Sequence, residues 1–507
     1  MRQRPKFNPQ NLIPDLMKML ALIAALALPA NATNIIFMMA DDLGYMDVGF
    51  NNPESFYDTP NLNQLATQSM RFTAGYAACP VCSPTRSSIL TGQYPARTRN
   101  TDYFGGPNEF MVIPKDYDPG KDGKFGGRAN YPVLPAPYIG KLDAAHTTLA
   151  EALKAHGYAT MHAGKWHLGP KGSWPEDHGF DVNIGGTERG GPYGGKKYFS
   201  PYGNPNLPDG PDGEHLPDRL ATEVSKFISE HKDGPFFVYL PFYSVHTPLM
   251  APEDLVKKYE AKREKLGLKA AFAPEPPREN RTIQQHAVYA GMVEAMDNAV
   301  GKVLKALDDN GIADDTIVIF FSDNGGLSTS EGSPTSNLPY RAGKGWMYEG
   351  GIREPLIVRW PKTIKGGTVC DTPVISTDFY PTLLEACGLD PLPEQHKDGV
   401  SFVELLKDPK AEHPRAPLFW HYPHWGNQGG IPSSAIREGN WKLVDNYWKK
   451  GIELFDLSND PGEQHNLAAK NPEKAAALKA KLDQFRKDTA AIAPAPNPKA
   501  KKNFNKW

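Results

Sequence analysis

Continuous apolar runs that alternate with helical patterns constrain the fold of this 507-residue chain more than any other feature. They lack the polar alternation of half-exposed strands, which is typical of strands covered on both faces of a sheet. Two helical patterns lie among them, at 147–156, closed by Gly157, and at 286–310, closed by Gly311. The alternation predicts a doubly wound α/β domain. The apolar runs are residues 34–40, 236–240, 316–322 and 356–360.

The pattern changes after about residue 410. Residues 434–437, 441–444 and 452–456 predict short antiparallel strands, followed by a helix over 472–487. Two long Gly-rich stretches interrupt the larger domain, and such loops are usually functional; they span 104–137 and 185–214. We therefore expect a large domain, a smaller sheet-plus-helix subdomain and a disordered tail rich in Pro and Lys, over residues 33–410, 411–490 and 491–507.

Residues 1–32 have the pattern of a secretory signal peptide. Basic residues come before a short apolar core at 19–28, and Ala30-Asn31-Ala32 fits a cleavage site. A start at Met17 instead of Met1 leaves a more compact signal, and both starts remain open. The apolar core is too short to span a bilayer. We expect a periplasmic or secreted protein without a membrane span. The net charge of −2, with both signs interspersed, gives no indication of a nucleic-acid partner.

The chain has four cysteines. Cys370 and Cys387 are candidates for a disulfide in an exported protein, although the sequence does not show the pairing. Cys79 and Cys82 form a C-x-x-C motif, which invites a redox interpretation. That motif normally begins a helix in a small redox fold, and the residues after Cys82 favour another chemistry.

Polar side chains follow four predicted strands at the point where each ends: the runs at 34–40, 236–240 and 316–322, and a further strand near Ala159. Ligands bind outside the carboxyl ends of strands in open α/β sheets, so we expect these side chains to meet in one crevice. The Asp and Asn residues offer only oxygen ligands, which favours Ca²⁺ or Mg²⁺ over zinc. A single Asp pair would more simply cap a helix, but two pairs at matching ends favour a metal. The residues are Asp41, Asp42, Lys165, His167, His246, Asp323 and Asn324.

Cys82 lies at the predicted start of a helix. Ser83 and Pro84 are typical of the first helical positions, and Gly92 of the end. A helix N-terminus favours an anion, and Arg86, one turn on, adds a fixed positive charge. The setting predicts a nucleophile that faces an anionic substrate.

These residues carry a resemblance to the type I sulfatases. Residues 82–92 (CSPTRSSILTG) resemble the first signature of that family, and residues 157–169 (GYATMHAGKWHLG) resemble the second. Supporting matches occur in order along nearly the whole mature chain: TPNL at 59–62, HGFD at 178–181, SVHTP at 244–248, SDNGG at 322–326, RAGKG at 341–345, EGGIR at 349–353, NWKL at 440–443, LFDL at 454–457 and DPGE at 460–463. The family implies an alkaline phosphatase-like α/β/α sandwich with a smaller C-terminal subdomain.

The resemblance also implies a mechanism. The family's motif cysteine, here Cys82, is oxidised to formylglycine by a modifying enzyme that recognises residues 83–86. One hydroxyl of the hydrated aldehyde attacks sulfur and the alcohol leaves. Loss of the proton from the second hydroxyl then expels sulfate and regenerates the aldehyde. One Ca²⁺ per chain is implied, with Asp41, Asp42, residue 82, Asp323 and Asn324 as its ligands.

The resemblance assigns roles to the other matching residues. His167 is the base of the second step, Lys165 binds sulfate, and Arg86 orients the hydrate. His246 and Lys344 hold the sulfate and assist the leaving oxygen. Taken singly, Lys344 is better explained as a solvated loop residue and His246 as a packed core histidine. Taken together, the matching residues favour catalysis.

The substrate is less constrained. The Gly-rich loops and residues 420–425 (WHYPHW) are candidates for the pocket wall, and packing between the two domains explains these aromatics equally well. The pattern is similar to arylsulfatase-like and N-acetylgalactosamine-sulfatase-like members, so we expect a sulfated carbohydrate, specifically a sulfated polysaccharide or glycosaminoglycan fragment, or an aryl sulfate. The alternative is a phosphomonoester or phosphodiester hydrolase on the same scaffold. Its two-metal members usually place His beside Asp, whereas Asn324 follows Asp323 here.

Overall fold

The computed structural model describes residues 33–104, 131–194, 196–414, 417–448, 451–498, 500 and 504. The predicted signal peptide and most of the first Gly-rich stretch lie outside these residues. Among the described residues, no helix combines the length and the apolar character needed to cross a membrane.

The described residues form a central sheet, a C-terminal sheet and two two-stranded sheets. Their strands are β1 (Asn34–Ala40), β2 (Met70–Tyr76), β3 (Val133–Leu134), β4 (Ala159–Ala163), β5 (Val182–Ile184), β6 (Phe236–Pro241), β7 (Phe272–Glu275), β8 (Arg278–Arg281), β9 (Thr316–Ser322), β10 (Arg353–Arg359), β11 (Thr368–Cys370), β12 (Val374–Ile375), β13 (Leu418–Tyr422), β14 (Ser433–Glu438), β15 (Trp441–Asn446), β16 (Ile452–Asp456) and β17 (Ala495–Pro496). The two-stranded sheets pair β3 with β17 and β7 with β8.

The α-helices pack around these strands. They are α1 (Pro60–Thr67), α2 (Cys82–Thr91), α3 (Pro95–Thr98), α4 (Leu149–Ala155), α5 (Leu216–His231), α6 (Glu253–Lys265), α7 (Ala287–Asp309), α8 (Glu349–Ile352), α9 (Phe379–Ala386), α10 (Val403–Lys407) and α11 (Pro472–Asp488).

The central sheet is mixed, in the order β11-β2-β10-β9-β1-β6-β4-β5, with β12 also paired to β2. The strands β9, β1, β6, β4 and β5 are parallel to one another, whereas β10 is antiparallel to both of its neighbours. Alternate residues of β1 enter opposite cores: Ile36 and Met38 pack under α5 and α7, and Ile35 and Phe37 face α2, α4 and α9. Burial on both faces explains the continuous apolar runs and confirms the predicted α/β fold.

The C-terminal sheet is antiparallel, in the order β13-β14-β15-β16, and packs against α11. It is joined to the large domain by a buried charge cluster. Lys442 Nζ lies 3.0 Å from Glu349 Oε1 and 2.9 Å from Glu463 Oε1, and all three side chains are fully buried. The predicted small antiparallel sheet is therefore confirmed, with β13 as an additional strand.

Some residues of the tail that was predicted to be disordered, residues 491–507, make contacts with the rest of the chain. The strand β17 pairs with β3, and the Asn497 side chain donates a hydrogen bond to the Tyr131 carbonyl at 2.6 Å. Phe504 packs against Tyr131 and Trp425. An aromatic surface thus anchors a segment whose composition alone indicated disorder.

The candidate disulfide is absent. All four cysteines are free thiols, and the Cys370 and Cys387 sulfurs lie instead near the backbone carbonyls of Pro409 and Thr33. The two residues occupy the same core face but contact different segments of the chain, so they do not pair.

Candidate active site

Four parallel neighbours bring the predicted site residues to one edge of the sheet. Because β9, β1, β6 and β4 are adjacent and parallel, their carboxyl ends meet at this edge. The N-terminus of α2, with Cys82 as its first residue, lies at the same place. The side chains that converge are Asp41, Asp42, Cys82, Arg86, Lys165, His246, Asp323, Asn324 and Lys344.

The chain turns sharply after β1. Asp42 has a left-handed backbone with φ of 62°, a conformation that Asp tolerates better than most side chains. The Asp42 backbone N–H donates to Asp323 Oδ1 at 3.2 Å, and the Asp41 N–H donates to the Ser244 carbonyl at 2.9 Å. The turn therefore holds the ends of β1, β9 and β6 together and directs two consecutive carboxylates toward the same buried site.

Each of the three carboxylates faces a cation. All of these side chains are buried, so each charge is stabilised mainly by its partner and not by water. Arg86 donates from both Nε and Nη2 to one oxygen of Asp323, and from Nη1 to the Lys165 carbonyl at 2.6 Å. The pairs are Lys165–Asp41 at 2.5 Å, Lys344–Asp42 at 2.8 Å and Arg86–Asp323 at 2.7 Å.

The two carboxylates at the end of β1 have opposite proton affinities. Burial raises the pKa of Asp41 above its usual range, and Lys165 opposes this only in part. Burial acts on Asp42 as well, but Lys344 and His246 outweigh it and hold the pKa of Asp42 below its usual range. Asp42 is therefore an anion at neutral pH and a ready cation ligand.

The donor set fits a hard cation. One ligand atom from each of Asp41, Asp42, Cys82 and His246 lies within 4.8 Å of the others. Asn324 Nδ2 donates to Asp42 Oδ1 at 2.8 Å, which leaves Asn324 Oδ1 buried without a hydrogen-bond partner among the described residues. A cation would satisfy that oxygen, and carboxylate and amide oxygens are ligands of Ca²⁺ and Mg²⁺.

Cys82 contacts these carboxylates directly. Its Sγ atom lies 3.5 Å from Asp41 Oδ1 and 4.0 Å from Asp42 Oδ1. Burial raises the pKa of the thiol above its usual range, and Lys165 and Lys344 offset this only partly. Burial likewise raises the pKa of Cys79. A redox-active C-x-x-C motif needs a cysteine with a lowered thiol pKa, so the raised pKa of both thiols disfavours the redox interpretation. An unmodified thiol at Cys82 is also a poor nucleophile.

The two histidines are neutral acceptors. Burial lowers the pKa of both, helped by Lys344 at His246, where it falls to about 3, and by Lys165 at His167. Hydrogen-bond partners assign the tautomers: His246 Nδ1 lies 2.7 Å from the Thr247 carbonyl, and His167 Nε2 lies 2.7 Å from the Phe104 carbonyl. The opposite nitrogens are thus left free to accept, and His167 Nδ1 is buried without a partner among the described residues.

A cavity of about 550 Å³ opens above the site. Cys82, His167, His246 and Lys344 line its base, whereas Arg86 and Lys165 are fully buried and are not part of its lining. The second Gly-rich stretch contributes a wall, whereas Phe104 is the one described residue of the first stretch in the lining. The other described residues that line it are Tyr103, Phe104, Arg189, Gly190, Gly191, Pro192, Lys197, Pro248, Glu331, Asn427 and Gln428.

The aromatic segment 420–425 lies elsewhere. Trp420 donates to the Ala77 carbonyl at 2.8 Å, and Tyr422 donates to Asp102 at 3.2 Å. Both side chains are buried in the core between the C-terminal sheet and the large domain. The packing interpretation is therefore the one that the structure supports. Asn427 and Gln428, just beyond this segment, line the cavity instead, and no signal in the sequence had identified them.

Comparisons with known proteins agree with this geometry. The family model described as Sulfatase matches residues 33–389, and the model for the N-sulphoglucosamine sulphohydrolase C-terminal region matches residues 342–488. A sulfatase of Formosa agariphila is 32% identical, over 87% of this chain and 85% of its own length. Human N-acetylgalactosamine-6-sulfatase is 28% identical, over 91% of this chain and 86% of its own length.

A solved structure supports the same assignment. The crystal structure of Ps i-CgsB in complex with k-i-k-neocarrahexaose has a TM-score of 0.70 and 26% identity, and covers 93% of this chain and 95% of that one. Sequence, fold and the convergent charged site lead to one conclusion. The chain belongs to the sulfatase family and is an enzyme that hydrolyses sulfate esters.

Proposed function

We propose that the enzyme removes sulfate from a sulfated carbohydrate, with residue 82, converted from Cys to formylglycine, as the nucleophile beside a bound Ca²⁺. The observation that carries the proposal is the position of Cys82. It begins α2 at the base of the cavity, in contact with Asp41 and Asp42, where burial makes its thiol a poor nucleophile. Once formed, the hydrated aldehyde supplies a hydroxyl nucleophile.

Asp41, Asp42, Asp323 and Asn324 would hold the cation, with residue 82 beside them. A bound Ca²⁺ supplies positive charge that offsets the negative charge of the sulfate group. Arg86 acts as a positioning residue, because its guanidinium fixes both Asp323 and the Lys165 carbonyl. It keeps the carboxyl ends of β9 and β4 in register at the site.

Lys344 and His246 lie on the side of Asp42 and line the cavity, where they would bind the sulfate and the leaving oxygen. A bound anion favours the protonated form of a neighbouring histidine. Protonated at Nε2, His246 can donate to the leaving oxygen while Nδ1 stays bonded to the Thr247 carbonyl. Lys344 remains protonated, since Asp42 raises its pKa against the effect of burial.

His167 is the base that we assign to the release of sulfate. Its Nε2 is held by the Phe104 carbonyl, and its free Nδ1 accepts the proton whose removal from residue 82 expels sulfate. Burial keeps the imidazole neutral before this step. His167 sits at the left-handed position with φ of 58°, which fixes the direction of its side chain.

Carbohydrate is the substrate class that the cavity favours. Glu331, Asn427 and Gln428 form a wall of hydrogen-bonding groups suited to sugar hydroxyls. The related human enzyme is named N-acetylgalactosamine-6-sulfatase, and the Ps i-CgsB structure is a complex with k-i-k-neocarrahexaose. Aryl sulfates serve as simple probes of the same reaction.

The test compares two aryl esters on enzyme matured with the modifying enzyme. We expect kcat/KM for 4-nitrophenyl sulfate to exceed that for 4-nitrophenyl phosphate by at least about 100-fold, or about 2.8 kcal/mol of transition-state free energy. The side chain after Asp323 is the amide of Asn324, whereas two-metal phosphate hydrolases on this scaffold usually have His beside the Asp. A preference for the phosphate ester would overturn the proposal.

The same assay tests the cation. Treatment with a chelator is expected to abolish turnover and lower the thermal midpoint, because Asp42 and the Asn324 oxygen lose their partner. Added Ca²⁺ should restore both, and the midpoint reports binding independently of catalysis. Full activity and an unchanged midpoint after exhaustive chelation would refute a Ca²⁺ site.

A further inference from the structure

Two cations on the outer wall of the cavity have no role in the proposed reaction. Arg189 and Lys197 line the same cavity as Cys82, His167 and Lys344. Among the described residues, neither Arg189 nor Lys197 has a carboxylate within ion-pair distance. Lys196, the residue before Lys197, is by contrast paired with Asp212. Two uncompensated positive charges that face one cavity form an anion-binding surface.

The guanidinium of Arg189 is held in place by a ring contact and not by an ion pair among the described residues. It stacks on the Tyr193 ring, with its central carbon 4.2 Å from the ring centroid. The Tyr193 hydroxyl donates to Glu188 Oε1 at 3.0 Å, and the Trp174 indole donates to Glu188 Oε2 at 3.3 Å. The one adjacent carboxylate is therefore engaged by neutral donors, and the planar fork of Arg189 stays available for a bidentate anion.

Both cations are tied to the histidines of the reaction centre. A Cβ atom at Gly190 would approach His167 Cε1 to 2.6 Å, so the backbone that follows Arg189 lies directly against that ring. Tyr198, which follows Lys197, donates to the His246 carbonyl at 2.8 Å. The cationic wall is thus fixed relative to the bond that is cleaved.

Another part of the cavity lining, around Glu331, has a different character. Glu331 Oε1 accepts hydrogen bonds from Asn427 at 3.0 Å and Gln428 at 2.9 Å, and Oε2 accepts one from Thr247 at 3.3 Å. The Glu331 carboxylate thus accepts hydrogen bonds from neutral donors, and among the described residues it forms no ion pair with Arg189 or Lys197. The cavity therefore has one wall suited to hydroxyls and one suited to an anion.

We propose that Arg189 and Lys197 bind a second anionic group of the substrate, a carboxylate or a further sulfate, in addition to the sulfate that is removed. The inference rests on the proposed function and specifies its substrate as a carbohydrate with at least two negative groups. Arg189 and Lys197 are specificity-determining residues, since they contact the part of the sugar that does not react.

The test measures kcat/KM of the full, matured enzyme on a matched set of sugars. The set comprises a monosulfated N-acetylhexosamine, its disulfated form, its disaccharide with a uronic acid, and that disaccharide with the carboxyl group reduced. We expect the wild type to prefer a doubly charged sugar about 10- to 100-fold, the range for a hydrogen-bonded charge. Whether the disulfated sugar or the uronic acid disaccharide is preferred identifies the second anion.

Arg189→Met and Lys197→Met should each reduce that preference at least about tenfold when both are bound by the anion. Lys196→Met is the matched control, because this neighbouring lysine is exposed, pairs with Asp212 and does not line the cavity. A wild-type enzyme without the preference, or variants that retain it in full, would overturn the proposal. Failure of the wild type to cleave even 4-nitrophenyl sulfate would instead refute the underlying sulfatase mechanism.

Discussion

Cys82→Ala should lower kcat/KM for an aryl sulfate by a factor of at least about 10,000, with the fold intact. The substitution removes the atom that becomes the nucleophile, and no neighbouring side chain replaces it. Asp41 and Asp42, the nearest groups, are occupied by Lys165 and Lys344. Anionic nucleophiles of this kind are also repelled by a sulfate ester.

Cys79→Ala is the matched control for this substitution. Cys79 is equally buried and lies three residues earlier, but its side chain packs in the core beneath the C-terminal sheet. Its loss removes one small buried group and should leave catalysis within a few-fold of the wild type. Initial rates on both variants, with circular dichroism to verify folding, decide the matter. Retention of more than about a hundredth of the activity by Cys82→Ala would contradict a residue 82 nucleophile.

Arg86→Met should lower the free energy of unfolding of the metal-free enzyme by about 3–5 kcal/mol. Methionine retains much of the apolar volume but leaves the Asp323 carboxylate buried without the two donors that now contact one of its oxygens. It also frees the Lys165 carbonyl from its hydrogen bond to Arg86. An uncompensated buried charge costs far more than an exposed one.

Urea denaturation in the presence of a chelator measures this loss without the compensating charge of a cation. Arg219→Met is the matched control, since Arg219 forms an i,i+4 pair with Glu223 on the partly exposed surface of α5. That pair should contribute about 1 kcal/mol or less. Equal losses for the two variants would show that the Arg86–Asp323 pair is not a stabilising contact of the site.

The sequence predicts the site where chemistry and strand ends coincide. Asp41, Asp42, Asp323 and His246 follow apolar runs, and parallel pairing of those runs necessarily brings them together. The helix start and Arg86 indicated a nucleophile at Cys82, and the family resemblance then implied its conversion to formylglycine. The antiparallel direction of β10 and the short strand β2, with its apolar–polar alternation, could not be derived from apolar runs of this kind.

What the sequence could not predict depends on long-range contacts. The pairing of Lys165, Lys344 and Arg86 with three carboxylates depends on contacts between distant segments and on the left-handed turn at Asp42, and neither has a sequence signal. The contact of the tail with Tyr131 depends on a partner strand more than 360 residues away. The anion-binding role proposed for Arg189 likewise depends on the cavity that it lines, which the sequence does not reveal.

The conversion of Cys82 to formylglycine is tested most directly by the mass of the tryptic peptide 72–86 from active, natively matured enzyme. This peptide contains both Cys79 and Cys82. We expect an aldehyde at position 82, with –CHO in place of –CH₂SH, and an unchanged thiol at Cys79. Two unmodified thiols, or a Cys79–Cys82 disulfide, in fully active enzyme would contradict that conversion.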